Sequence, residues 1–124
     1  MSDKPLLKET IKHIDFTSFD ATPIINAYRG MSFTSRDTAS AADLYDRMLK
    51  EKDCAIFLIL AGSTSAGGCM QVYPDLVKHN MVDTIVATGA SIVDMDFFEA
   101  LGFKHYKGKV NVDDTQLRKQ YIDR

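Results

Sequence analysis

The sequence predicts an α/β fold built around a parallel sheet, and three observations carry that reading. Residues 54–60, CAIFLIL, form an uncharged apolar run of strand length, the pattern of a strand covered by helices on both faces. A second short apolar stretch, residues 82–87, follows, and both stretches run into turns of small residues, AGSTSAGG at 61–68 and TGAS at 88–91. Helical patterns lie before, between and after them. From Thr38 onward the predicted order is α-β-α-β-α-α, and two strands joined by a helical crossover form a βαβ unit with parallel strands. A doubly wound domain usually has about five or six strands, so the chain reads as an incomplete piece of one.

The elements follow in order. Residues 1–37 read as an N-terminal arm and a short helix, with HIDFTSFDATPI as an extended stretch. Thr22 before Pro23 suits a helix start, threonine as cap and proline in the first helical position, and Gly30 closes that helix. Residues 31–37 read as a loop. Residues 38–50 carry the clearest helical pattern, with Ala41, Leu44, Tyr45, Met48 and Leu49 on one apolar stripe. Asp43 with Arg47 and Asp46 with Lys50 are i,i+4 pairs in the favourable order, each contributing about 0.2–0.5 kcal/mol. A helix covering a sheet accounts for this segment, and no chemistry is assigned to it. After the first strand a helix lies between Ser65 and His79, with Cys69, Val72 and Leu76 on one side. Pro74 either kinks it or marks its true beginning, and Asn80 stops it. After the second strand Asp94 or Asp96 opens a helix through Leu101, closed by Gly102. HYKGKVN is a turn or short extended piece. Asp113 or Asp114 caps a last helix, TQLRKQYIDR, with the chain stopping inside it.

The totals exclude several classes. A chain of 124 residues is one ordinary domain, and a net charge of −2 argues against a nucleic-acid-binding surface. Cys54 and Cys69 lack metal-ligand spacing and read as free buried thiols. No apolar run reaches the ~20 residues that span a bilayer, and MSDKPLLKET has no apolar targeting core, so the cytoplasm is the expected compartment and no membrane partner is expected.

The two small-residue turns admit two readings, a tight packing corner or a floor that a ligand approaches closely. Both lie at carboxyl ends of parallel strands, before helix starts, where open α/β sheets bind ligands. The first amides of a helix are unpaired and favour negative charge, and small side chains let a phosphate reach them. Ser63, Thr64, Ser65 and Thr88 add hydroxyls. The spacing is neither G-x-G-x-x-G nor G-x-x-x-x-G-K-[ST]. A ribose-reading acid is expected about 20 residues past the glycines. That point, Val86 to Thr88, holds none, and Asp94 is the nearest candidate, with a helix cap as its alternative role. His13, His79 and His105 stand apart: His79 ends a helix and His105 sits in a surface turn. No Ser-His-Asp order, HExxH or CxxC is present. The residues alone give a candidate binding floor and no visible catalytic group.

Residues 76–102, LVKHNMVDTIVATGASIVDMDFFEALG, resemble the deoxyhypusine synthase family, HNMVD most closely. The likeness extends upstream through IFLILAGSTSAGG and, more loosely, DFTSFDATPIINAYRGMSFTSRDTASAADLYDRML. It covers nearly the whole chain but only the N-terminal portion of a family member, with bacterial and archaeal forms nearer than animal ones. The resemblance implies that residues 38–124 are part of a Rossmann-like domain that binds NAD. It further implies an enzyme that oxidises and cleaves spermidine and passes its aminobutyl group to an amine. That amine is a translation-factor lysine in deoxyhypusine synthase and putrescine in homospermidine-synthase-like relatives. The active site is shared across a subunit interface in a tetramer. The family's first NAD loop falls on 61–68, where Gly68 is identical and Gly62, Ser63, Thr64 and Ala66 take cofactor-binding places. The second falls on 87–91, where Thr88 matches and Gly89-Ala90 is the same pair reversed. Asp94 inherits a ribose role. The catalytic lysine and the spermidine-binding acids belong to the C-terminal half, so completion by that half or by a second chain is expected.

Overall fold

The computed structural model of the chain describes residues 6–124, so residues 1–5 of the expected arm lie outside the described residues. Two strands form the sheet, β1 (Phe57–Leu60) and β2 (Thr84–Ala87), parallel and in register from Phe57 opposite Thr84 to Leu60 opposite Ala87. Both are shorter than their apolar runs. The ladder stops at Ile56 because its amide donates to the Asp83 carboxylate at 2.7 Å, while its carbonyl takes the amides of Asp83 and Thr84 at 2.9 and 3.2 Å.

The expectation that the first strand is covered on both faces is not met in this chain. Leu58 and Leu60 are half-buried, whereas Phe57 is 60% and Ile59 75% exposed. Ile59 pairs with Val86, itself 50% exposed. Registered neighbours share a face, so one side of the sheet is bare apolar surface.

Helix α1 (Thr22–Arg29) begins and ends where expected, but Thr22 is its first residue and not its cap; Ala21 holds the cap position, and the Thr22 amide donates to the Asp20 carboxylate at 2.8 Å. Helix α2 (Phe33–Lys50) starts five residues earlier than its periodicity suggested. Residues 31–37 are therefore mostly helix, packed against α1, with Arg29 Nε donating to Asp43 at 3.2 Å. Arg29 is thus the direct hydrogen-bond partner of Asp43, with the expected partner Arg47 adding a weaker electrostatic pull, and Asp46 and Lys50 pair at 2.5 Å. Of the predicted stripe, Tyr45 and Met48 are half-buried and Ala41, Leu44 and Leu49 exposed. The fully buried residue of α2 is Ala39.

Past β1, residues Ser65–Cys69 form a wide helical turn leading into α3 (Val72–Lys78). Pro74 is the third residue of α3, in the first turn, where its missing N–H has no intrahelical partner to lose. The helix thus begins near the proline and is not kinked by it. His79 is its C-cap, and Asn80 takes a left-handed φ of 54°, the stop expected of asparagine.

After β2, α4 (Gly89–Ser91), a wide segment Ile92–Phe97 and α5 (Phe98–Ala100) follow without a break. This run starts at Gly89, so neither Asp94 nor Asp96 opens it; both lie inside. Gly102, at φ 97°, closes it, with the Phe103 amide bonded to Phe98 O at 3.1 Å. Helix α6 (Asp114–Lys119) is capped as expected by Asp113, which accepts from the Thr115 amide at 2.8 Å. It ends at Lys119 and does not run on to Arg124, because Tyr121 turns left-handed and Ile122 N bonds back to Leu117 O at 3.0 Å. Both cysteines are free, and half-buried rather than buried.

The arm ahead of α1 is held by the backbone. Ile11 N donates to His105 O, Lys107 N to Glu9 O and Ile14 N to Gly68 O, each at 2.8 Å. Thr10 and Tyr106 form an antiparallel bridge, which makes the HYKGKVN stretch extended at its start.

Candidate functional site

The two small-residue turns leave the same end of the sheet from adjacent strands. Thr88 N donates to Leu60 O, at the end of β1, at 3.3 Å, and the buried Ser91 hydroxyl ties the two turns together by donating to Gly62 O at 2.6 Å. Gly62 has a φ of 78°, a conformation that side chains other than glycine resist. The packing-corner and open-floor readings divide along the loop. At Gly68 (φ 103°) a Cβ would meet Lys12 O at 3.1 Å, so this glycine is small because the arm packs on it. At Gly62, Gly67 and Gly89 a Cβ would meet nothing within 4 Å, so these are open.

The predicted site residues take distinct places. Gly62, Ser63, Thr64, Thr88 and Gly89 are exposed on this double turn, and Ala90 is half-buried beside them. The Thr64 hydroxyl accepts from Tyr73 OH at 2.5 Å, which fixes its rotamer while leaving its own proton to donate. The half-buried Ala66 directs its amide to Met95 Sδ at 3.3 Å, so that N–H already has a partner. Ser65, expected to add a hydroxyl to the floor, is instead fully buried beneath it. Asp94 is exposed within Ile92–Phe97. Gly89 and Ala90 open the helical run, so their amides precede any i−4 carbonyl. The Ser91 amide already bonds Thr88 O at 3.0 Å.

A second constellation, unseen in the sequence, lies at the far end of the helical run. The buried stripe Ser91, Met95, Glu99, four residues apart at each step, ends in a carboxylate whose side chain is only 6% exposed. Both Glu99 oxygens lie 3.0 Å from His13 Nε2, and Oε2 lies 3.1 Å from His105 Nδ1. His13 and His105 therefore do come together, with His105 half-buried against Glu99 rather than in a surface turn, while His79 stays apart at the end of α3. An open cleft of about 480 Å³ adjoins this cluster, lined among others by Tyr73, Asp96 and Lys104.

Burial pushes the Glu99 carboxyl up, but the bonds from His13 and His105 outweigh it and hold it below its ordinary value of 4.5. The sign follows from linkage. A carboxyl depressed in the folded state adds stability above its unfolded pKa, and that stability is lost as pH falls through the folded value. Stability should therefore drop as pH falls below 4.5, and Glu99→Gln should flatten that part of the profile. Thermal melts across an acid pH series check this; equal acid slopes in the two proteins would contradict it.

Among the described residues no group of three or more His, Cys, Asp or Glu is arranged to hold a metal ion. Nor is any helix long and apolar enough to cross a membrane.

Two parallel strands joined through a helical crossover and flanked by helices make the chain a small α/β unit. The comparison with known sequences narrows the class. The sequence model described as "Deoxyhypusine synthase" matches residues 23–124, and the chain belongs to that family. A deoxyhypusine synthase-like protein of Coxiella burnetii (strain Dugway 5J108-111) is 68% identical over 119 residues, 96% of this chain and 34% of that protein. One of Caulobacter vibrioides is 64% identical, over 96% of this chain and 32% of that protein. One of Chlorobaculum tepidum is 52% identical, over the whole chain and 35% of that protein. The chain thus spans about a third of the length of the curated relatives it matches.

Proposed function

We propose that this chain is the NAD-loop-bearing N-terminal part of a deoxyhypusine-synthase-like transferase. That enzyme moves the aminobutyl group of spermidine to an amine acceptor, a protein lysine or putrescine. The observation that carries the reading is the double turn: two open backbone segments, at Gly62-Ser63 and Thr88-Gly89, bound to each other at the carboxyl end of a parallel sheet. Open space over the glycines fits a ligand that approaches the main chain, and the amides opening the helical run suit a diphosphate. Gly62, Ser63, Thr64 and Ala66 on one turn and Thr88, Gly89 and Ala90 on the other would hold NAD, Ser63 and Thr64 through their hydroxyls. Asp94 would accept from a ribose hydroxyl. NAD, when bound, supplies the hydride acceptor. The residues of this chain would orient it.

The sheet supports the second half of the reading. Two strands with Phe57, Ile59 and Val86 bare on one face do not make a finished core. The family relatives are about three times as long, and that further chain would cover this face and extend the sheet into a Rossmann-like domain. The catalytic lysine would come from there, and a tetramer-like assembly in the cytoplasm would complete the site. The same bare face also suits a non-catalytic assembly subunit that pairs with a full-length relative.

Mixing the chain with the remaining two-thirds of the protein should restore spermidine-dependent NADH formation. Absence of that signal from a mixture that co-elutes would reject the enzymatic reading and leave the assembly subunit.

A further inference from the structure

We infer that Glu99 is a positioning residue for the 61–68 turn: it clamps the N-terminal arm, and the arm holds the last glycine of the turn. The inference rests on the dinucleotide reading above and deepens it.

A carboxylate this buried needs donors on both oxygens. Glu99 has them from two separate segments, His13 of the arm and His105 beyond Gly102. The same two segments are laced together by the Ile11–His105 and Lys107–Glu9 backbone bonds. Next to His13, Ile14 N donates to Gly68 O at 2.8 Å. On the other side of His13, Lys12 O lies 3.1 Å from where a Cβ on Gly68 would stand. The arm therefore grips the turn within one residue of the Glu99 clamp. Glu99 bonds the histidines, so its influence on the turn travels through the arm backbone. Asp96 and Lys104 line the cleft beside the cluster, with Tyr73 from α3, and Lys107 pairs with Glu9 at the arm's outer end.

The test uses NADH fluorescence titration of the complete protein that carries this chain. Glu99→Ala should weaken NADH binding about tenfold, the loss expected when a turn is no longer held by about one net hydrogen bond. Turnover at saturating dinucleotide should not change. Ile14→Pro removes the N–H that reaches Gly68 and should weaken binding to a similar extent. The double variant should bind no worse than the weaker single variant, because both act through one connection. Glu99→Gln keeps one of the two oxygen acceptors and should weaken binding less than Glu99→Ala, by about threefold. Multiplying effects in the double variant, or unchanged affinity with a lowered Tm in Glu99→Ala, would overturn the inference.

If Glu99→Ala fails to fold, hydrogen exchange of the amides of residues 67–69 in Glu99→Gln and Ile14→Pro decides the matter. Faster exchange in both supports the clamp, and unchanged exchange rejects it. If the wild-type protein binds no NADH, the dinucleotide reading falls, and the exchange measurement alone judges the role of Glu99.

Discussion

A Gly89→Leu variant is expected to keep its fold and lose dinucleotide binding by roughly a hundredfold, the loss of one or two charge-assisted hydrogen bonds. Gly89 opens α4, directly after the cap residue Thr88, and a Cβ there meets nothing within 4 Å. Leucine is a better helix former than glycine, by up to about 1 kcal/mol, so the melting temperature should hold or rise. Its side chain would stand in the open space through which a diphosphate would reach the first amides of the run. Affinity and stability move in opposite directions, which separates a binding floor from a packing element. Unchanged NADH affinity in this variant would remove the second turn from the site.

The largest effect on stability is expected at Gly68. Valine there faces two penalties: a backbone at φ 103° that suits only glycine, and Lys12 O at 3.1 Å from the new Cβ. Together these should cost about 3 kcal/mol, roughly 10 °C in Tm for a domain of this size. The arm should also come away, exposing the Ile14 amide to exchange. Gly67→Ala, one residue earlier and in open space, should be close to neutral. Equal melting temperatures for the Gly68 and Gly67 variants would contradict the division of the turn into corner and floor.

What was legible in the sequence was local. The apolar runs mark both strands because β1 and β2 form wherever such runs meet a parallel partner, and the small-residue turns mark their carboxyl ends. Gly102, Asn80 and Asp113 act as stop, stop and cap because each does so through its own backbone or side chain. Helix starts were less legible. Residues 33–37 lack an apolar stripe and join α2 through packing against α1. Gly89-Ala90-Ser91 reads as a turn but is helical, with Ser91 bonded to Gly62 O and Met95 buried below. The bareness of Phe57 and Ile59 was not legible either, because an apolar run says that a strand is to be covered and not which chain covers it.

The Glu99 cluster was the least visible. His13 lies 86 residues from Glu99 and His105 six, and neither spacing is a pattern. The available signal was the i, i+4, i+8 row of Ser91, Met95 and Glu99, a buried stripe that ends in a charge. An acid at the core end of such a stripe needs a partner, and the partners come from segments that local reading leaves as arm and turn.

The central claim is tested most directly by mapping where NAD binds on the complete protein, through amide chemical-shift changes during titration. The account predicts shifts concentrated at residues 62–64 and 88–90, with residues 54–56 and 114–119 unmoved. Saturable NAD binding that leaves both turns unshifted would contradict it.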